Sequence, residues 1–314
     1  MKIIFAGTPE FAVPALQALL DLGRRDAGFD VVMFLTQPDR HAGRGMKLQA
    51  SPVKQLALQH NLNVFQPESL KPAEVQAQIA AVNADVMIVA AYGLIIPTVV
   101  LNMFAKGCYN IHASLLPRWR GAAPIHRSLL AGDAETGVTI MAVVPALDAG
   151  AMISKGIVPI TEESTTQTLH DALSKIGTDL MVQAMQELAA NGVLASAPQD
   201  ERLVTYAHKL EKSEAAIDWN RSAAEISRQI RAFNPFPVAT AQFRGETCRL
   251  WFATALNEKP NAKAGEIVAL GTNIHAACGQ GVLVINELQM PGGKRLSAAQ
   301  FIQSQQPQIG EMFS

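Results

Sequence analysis

Residues Cys108 to Pro124 read CYNIHASLLPRWRGAAP. The stretch begins like the end of a buried strand and breaks into a loop with two prolines, two arginines and a glycine. Asn110 and His112 are two residues apart, so a strand would point both side chains to the same face. Open α/β folds place their reacting groups at the carboxyl edge of the sheet. A single histidine at a strand end is usually structural, so any catalytic interpretation needs further residues.

The residues before this stretch alternate between two hydrophobic patterns. Short apolar runs at Lys2–Ala6, Asp30–Thr36 and Ala84–Ala90 indicate buried strands, and helical spacing separates them at Phe11–Leu22 and Pro72–Val82. This alternation predicts an α/β fold with a doubly wound parallel sheet.

The pattern changes after residue 195. Short apolar runs separated by glycine and asparagine, such as Ile274–Ala277 and Val282–Leu288, are typical of a small β-barrel. A chain of 314 residues also exceeds a typical single core. We therefore predict a first domain at 1–195, a linker at 196–209 and a second domain at 210–314.

The composition limits the possible cellular locations and binding partners of the protein. The formal net charge is −1, so any nucleic acid would have to be held by local positive charge. Three cysteines without a CxxC pair argue against a disulfide framework and against structural zinc. No apolar run approaches the length of a membrane span. We expect a cytoplasmic protein with no membrane partner.

The segment from Gln37 to Leu48 contains two glycines, two arginines and a lysine without an apolar period. This composition predicts an irregular, mobile basic loop. It follows a strand at the same sheet edge as Asn110. A solvated surface loop is the simplest interpretation, and a ligand-binding loop is the second.

Several separated motifs together resemble one enzyme family. Asn110-x-His112 is followed by SLLPRWRGAAP and later by Leu147-Asp148-Ala149-Gly150, and this series resembles the folate-dependent formyltransferase family. The start FAGTPEF, the Gly43-Arg44-Gly45 loop and the Tyr206–Trp219 segment resemble the branch of that family that acts on initiator tRNA.

The resemblance implies both a fold and a reaction. The fold would be a Rossmann-like formyltransferase domain followed by an OB-like, tRNA-binding barrel. The reaction would move the formyl group of 10-formyltetrahydrofolate to the amino group of methionine on initiator tRNA, for initiation of protein synthesis. It requires no metal. We expect a monomer whose partners are the tRNA and the folate.

The resemblance also implies a catalytic set of Asn110, His112 and Asp148. An amine attacking a formyl carbon gives a developing oxyanion, which a fixed side-chain amide such as that of Asn110 can stabilise. His112 can accept or relay the surplus proton because imidazole titrates near neutral pH. Asp148 could orient the imidazole or organise a water.

The same resemblance suggests the binding residues. The expected folate contacts are Ser114, Leu115, Leu116 and Pro117. The expected tRNA contacts are Arg40, Arg44 and Lys47. Weaker candidates for tRNA contact are Lys209, Lys212, Arg244, Arg249, Lys294 and Arg295. Of Arg118 and Arg120, at least one is expected to be structural.

Two positions depart from the family pattern, because Ala113 and Ala146 stand where glycine is usual. An alanine there would be strained if the backbone needed a positive φ.

Four alternative functions remain. They are a formyltransferase acting on a nucleotide-sugar amine, a formyl-folate hydrolase, an NAD-dependent oxidoreductase and an RNA-binding protein without catalysis. The single glycine in the first turn disfavours the oxidoreductase.

Overall fold

The computed structural model describes residues 1–42, 47–60 and 62–314. Its contacts divide the chain into two compact units. The N-terminal unit comprises Met1–Gly121, Gly137–Val158 and His170–Tyr206. The C-terminal unit comprises Ala122–Thr136, Pro159–Leu169 and Ala207–Ser314. The linear boundaries expected from the sequence, 1–195, 196–209 and 210–314, stay a prediction.

The strands are labelled in chain order. They are β1 (Lys2–Gly7), β2 (Asp30–Leu35), β3 (Arg40–Ala42), β4 (Lys47–Gln49), β5 (Val64–Phe65), β6 (Val86–Ala90), β7 (Cys108–His112), β8 (Arg120–Gly121), β9 (Glu135–Ala142), β10 (Met152–Pro159), β11 (Tyr206–Ala207), β12 (Ala239–Phe243), β13 (Glu246–Leu256), β14 (Ile267–Leu270), β15 (Ile274–Ala277), β16 (Val282–Gln289) and β17 (Leu296–Ser297).

The α-helices are labelled in the same way. They are α1 (Val13–Arg25), α2 (Pro52–Gln59), α3 (Ala73–Ala81), α4 (Thr98–Leu101), α5 (Pro124–Ala131), α6 (Thr166–Asn191), α7 (Ala223–Ala232) and α8 (Ala298–Gln305).

The N-terminal unit is built on one sheet with the strand order β10-β9-β7-β6-β1-β2-β5. The neighbouring strands β5, β2, β1, β6 and β7 run parallel to one another, and β9 runs antiparallel to β7. Strands β1 and β6 are almost entirely buried, as their continuous apolar sequence predicts for the centre of a parallel sheet. The predicted α/β class is therefore confirmed.

Strand β7 lies between β6 and β9 and carries the motif on which the functional argument depends. Asn110 is paired with Val89 on one side and Met141 on the other, and His112 is paired with Thr139. Since β6 and β7 are parallel, both end at the carboxyl edge of the sheet. This edge is where open α/β folds bind their ligands.

The C-terminal unit contains an antiparallel sheet with the order β12-β13-β16-β15-β14, and β17 pairs with β16. Its core is apolar, with the rings of Trp219 and Phe313 stacked at 5.5 Å and those of Phe243 and Phe313 at 5.0 Å. A second domain of antiparallel strands is thus confirmed. Its description as an OB-like barrel stays a prediction.

Two parts of the chain differ from the sequence-based expectations. Residues Arg40–Ala42 and Lys47–Gln49 pair as an antiparallel hairpin, so the prediction of irregular backbone was wrong for them. The two strands are paired by their backbones, and the side chains described for them are exposed, including Leu48 at 63%, so the pairing leaves no periodic signal in the sequence. The Gly43-Arg44-Gly45 motif lies outside the described residues. Helix α8 was also missed, although Ser297 and Gln300 form a capping box at its start.

Within residues 1–42, 47–60 and 62–314, no helix combines the length and the apolar character needed to cross a bilayer.

Candidate active site

Strand β7 positions the first two residues of the candidate site. The Asn110 side chain is half-buried and His112 is buried, with 5% of its surface exposed. Their spacing on a strand directs both to one face of the sheet. An amide donor and an imidazole therefore lie side by side on a rigid element.

The imidazole of His112 has two different neighbours. Its Nε2 lies 2.9 Å from the carbonyl oxygen of Trp119. A carbonyl oxygen can only accept, so Nε2 carries the hydrogen. Its Nδ1 lies 3.7 Å from Oδ2 of Asp148. In the neutral ring, Nδ1 therefore presents a lone pair on the side of the carboxylate.

Asp148 is held in a tight turn between β9 and β10. Its Oδ2 accepts a hydrogen bond of 2.9 Å from the backbone N–H of Gly121, and its φ is 46°. Aspartate tolerates this left-handed conformation better than most residues. The side chain is 18% exposed, so the carboxylate reaches the surface beside the ring of His112.

The backbone conformation at Ala113 and Ala146 shows whether alanine is strained at these two positions, where the family usually has glycine. Neither residue is among the described positions with positive φ. In these loops the left-handed residues are instead Trp119, with φ 66°, and Asp148. Alanine at the two variant positions is therefore compatible with the local backbone.

The expected folate segment divides into inward-facing and outward-facing residues. Ser114 and Leu116 are buried, and the Ser114 hydroxyl donates to the carbonyl of Arg118 at 2.6 Å. Leu115 and Pro117 are half-buried. The segment is anchored at Leu116, whose carbonyl oxygen accepts a 2.6 Å hydrogen bond from Lys155 Nζ. Partial burial lowers the pKa of that ammonium.

Cys108 lies on the same strand as Asn110 and His112 but takes no part in the site. The residue is buried, and burial raises the pKa of its thiol to about 12. A thiol that stays protonated near neutral pH is a poor nucleophile. Cys108 is therefore a residue of the core.

The basic residues expected to contact tRNA have different surroundings. Arg40 on β3 and Lys47 on β4 are exposed, and the guanidinium of Arg40 donates to Oε1 of Gln37. Arg44 lies outside the described residues. Among the weaker candidates, Arg244 is paired with Glu311 and Arg295 with Glu287. Lys209, Lys212, Arg249 and Lys294 are exposed.

The sequence interpretation missed one polar residue close to Asp148. Gln199 is buried and donates hydrogen bonds to two backbone carbonyls of the Asp148 turn. It also accepts a hydrogen bond from Arg120, whose guanidinium is buried as expected for a structural arginine. A single glutamine in an irregular segment carries no pattern that would mark it.

Comparison with known proteins gives the family. The formyl transferase family matches residues 1–185, and the C-terminal domain of formyl transferases matches residues 209–306. The chain belongs to the formyl transferase family. The predicted enzyme class is thereby confirmed.

The most informative relatives of this formyl transferase match over their whole length. The chain is 62% identical over 302 residues to the methionyl-tRNA formyltransferase of Methylobacillus flagellatus, covering 96% of each chain. It is 54% identical over 314 residues to that of Dechloromonas aromatica, covering all of this chain and 99% of the relative. These matches favour the methionyl-tRNA branch over the nucleotide-sugar branch.

Solved structures share the formyl transferase fold at lower identity. An N-formyltransferase from Helicobacter canadensis, in complex with folinic acid and dTDP-3-aminofucose, is 18% identical with a TM-score of 0.65, covering 91% of this chain and 99% of that one. HypX from Aquifex aeolicus in complex with tetrahydrofolic acid is 16% identical with a TM-score of 0.63, covering 99% of this chain. The present chain spans about half of HypX, 48%.

Proposed function

We propose that this formyl transferase moves the formyl group of 10-formyltetrahydrofolate to the amino group of methionine on initiator methionyl-tRNA. The observation that carries the proposal is the 62% identity to a methionyl-tRNA formyltransferase over 96% of both chains. Identity of this extent includes both domains, so the acceptor-binding parts are covered as well as the catalytic ones. The sugar N-formyltransferases among the solved structures are 18–19% identical to this chain, a likeness that shows a shared fold and not a shared acceptor.

Asn110 is proposed to stabilise the oxyanion. Its amide projects from the middle of a central strand, where the backbone is fixed by pairing on both sides. A donor held in this way needs no reorganisation when negative charge develops on the formyl oxygen. Such a donor contributes roughly 10²- to 10³-fold in rate.

His112 is proposed to accept the proton that the attacking amine must lose. Its Nε2–H is already directed at the Trp119 carbonyl, so Nδ1 is the atom that can take the proton. The resulting imidazolium would lie 3.7 Å from the carboxylate of Asp148. The carboxylate stabilises that charge, and the Gly121 N–H keeps it in place.

The folate site is proposed to lie against Ser114–Pro117. Bound folate supplies the formyl group. Half-buried Leu115 and Pro117 offer an apolar surface for a flat ring, while buried Ser114 and Leu116 hold the turn from beneath. Lys155 fixes the Leu116 carbonyl and so completes the support of this surface.

The tRNA is proposed to contact Arg40, Arg44 and Lys47, and the C-terminal unit is proposed to act as an OB-like tRNA-binding domain. Exposed cations on a short hairpin can reach phosphates without burying charge. We also propose that the protein is a monomer and is located in the cytoplasm.

The test is a comparison of acceptors with one donor. With 10-formyltetrahydrofolate, we expect kcat/KM for charged initiator methionyl-tRNA to exceed that for a dTDP-amino sugar by roughly 10³-fold or more, since the sugar lacks the binding energy of the tRNA. Replacing the donor by the 5-formyl isomer is the control for donor specificity. Preferential formylation of the amino sugar would contradict the proposal.

A further inference from the structure

The turn that carries Asp148 is held by a buried glutamine from a distant part of the chain. Nε2 of Gln199 donates to the carbonyl oxygen of Asp148 at 2.8 Å and to that of Gly150 at 2.9 Å. Gln199 is only 8% exposed. Both hydrogens of one amide group are therefore used to fix a single turn.

The orientation of this amide is determined by its other neighbour. Nε of Arg120 lies 3.0 Å from Oε1 of Gln199, and an arginine nitrogen can only donate. The oxygen must therefore face Arg120, which leaves the NH₂ group facing the two carbonyls. Arg120 is itself 3% exposed, and its guanidinium pairs with Glu201 at 2.8 Å.

The turn needs such support because its backbone is not in a relaxed conformation. Asp148 has a φ of 46°, in the left-handed region that residues with a side chain rarely adopt and that aspartate adopts only where the surrounding structure holds it. Among the described residues, the backbone N–H of Gly121 donates a hydrogen bond to the carboxylate of Asp148. Without Gln199 the turn could relax and carry the carboxylate away from the ring of His112.

We propose that Gln199 is a positioning residue, which holds the carboxylate of Asp148 beside the imidazole of His112 through the Asp148 and Gly150 carbonyls. Arg120 has an indirect role, because its hydrogen bond to Oε1 fixes the orientation of the Gln199 amide. The inference rests on the proposed role of Asp148 in catalysis. It predicts that Gln199 affects the chemical step and not the binding of either substrate.

The chain offers a matched control for this interaction. Gln229 in the C-terminal unit is 3% exposed, and its Nε2 also donates to two backbone carbonyls, those of Glu214 at 2.8 Å and Ala216 at 3.0 Å. Gln229→Met and Gln199→Met therefore remove the same kind of double hydrogen bond at similar side-chain length. Only one of them lies next to Asp148.

The experiment is a double-mutant cycle on kcat with the full-length enzyme. Gln199→Met is expected to lower kcat roughly 10- to 100-fold, as a displacement near 1 Å would, with KM for both substrates changed less than about threefold. In an Asp148→Asn background the same substitution is expected to change kcat less than about threefold, because the carboxylate it positions is gone. Gln229→Met is expected to leave kcat within about threefold in both backgrounds.

A second variant separates hydrogen bonding from packing. Gln199→Glu keeps the length and the partner of Arg120 but places an oxygen against two carbonyl oxygens, so it is expected to lower kcat as Gln199→Met does. Full activity of Gln199→Glu or Gln199→Met would overturn the proposal. Equal losses with and without the Asp148 carboxylate would also overturn it. If Asp148→Asn alone leaves kcat unchanged, the proposed role of Asp148 fails, and this inference fails with it.

Discussion

At the scale of single residues, the proposed chemistry depends on the two nitrogens of His112 having different partners. The Trp119 carbonyl takes the Nε2 hydrogen, and this leaves Nδ1 as the basic atom on the side of Asp148. The backbone therefore selects the tautomer, and in the proposed mechanism the carboxylate of Asp148 stabilises the protonated ring. A small displacement of the Asp148 turn should therefore lower the rate of formyl transfer.

A substitution at Gly150 tests how much displacement the Asp148 turn tolerates before activity is lost. A Cβ at this position would lie 1.7 Å from the carbonyl oxygen of Ala142, so Gly150→Ala must displace the backbone. We expect kcat to fall roughly 10²-fold or more as Asp148 moves, with a lower melting temperature.

Gly271→Ala is the control for this substitution. A Cβ there meets nothing within 4 Å, and the backbone is not left-handed. Its kcat and melting temperature should stay at the wild-type values. Wild-type activity of Gly150→Ala would show that the turn tolerates displacement.

At the scale of secondary-structure elements, the sheet and its helices could be predicted where apolar residues repeat. The predicted strand Ile274–Ala277 agrees with the structure to the residue. The pairing of β3 with β4 could not be predicted because the side chains described for these strands are exposed and give no apolar period. The motif around Asn110 and His112 marked the site, but the Trp119 carbonyl and Gln199 act through tertiary contacts that leave no local pattern.

Helix α5 contributes a pH dependence to the C-terminal unit. Burial of His126 lowers the pKa of its imidazole from 6.5 to about 4, despite a hydrogen bond with the backbone of Phe236. The neutral ring is therefore favoured in the folded state, while the unfolded state takes up a proton below about pH 6.5. Stability from this residue is fully present above pH 6.5 and is lost as the pH falls towards 4.

The measurement is urea unfolding of the full chain followed by tryptophan fluorescence. Between about pH 7 and about pH 5, wild type should lose roughly 1–2 kcal/mol more unfolding free energy than His126→Gln does. The exposed His208 is the control position, and His208→Gln should keep the pH dependence of wild type. Identical pH profiles for wild type and His126→Gln would contradict the assignment.

At the scale of the whole molecule, a formal net charge of −1 has to be reconciled with a polyanionic substrate. Binding then depends on a local group of cations, for which Arg40, Arg44 and Lys47 are proposed. Each phosphate contact releases condensed counterions from the RNA. The affinity for tRNA should therefore be steeply salt-dependent even though the protein as a whole is nearly neutral.

The salt dependence can be measured by filter binding of initiator tRNA. With about three phosphate contacts, the affinity should fall roughly 10- to 50-fold between about 50 and about 200 mM salt. Replacing Arg40, Arg44 and Lys47 together by alanine should make the affinity for tRNA depend much less on the salt concentration. Arg202→Ala, at an exposed arginine paired with Asp200, should leave it unchanged. An affinity that is independent of salt would contradict the proposed contacts.

The proposed proton transfer to His112 is measured directly by the single-turnover rate of formyl transfer to initiator methionyl-tRNA in His112→Ala. We expect the rate to fall roughly 10²- to 10⁴-fold, because Nδ1 no longer accepts the proton of the amine. Binding of tRNA and the circular dichroism spectrum should match wild type. A transfer rate close to that of wild type would show that His112 is not the base and would contradict the account.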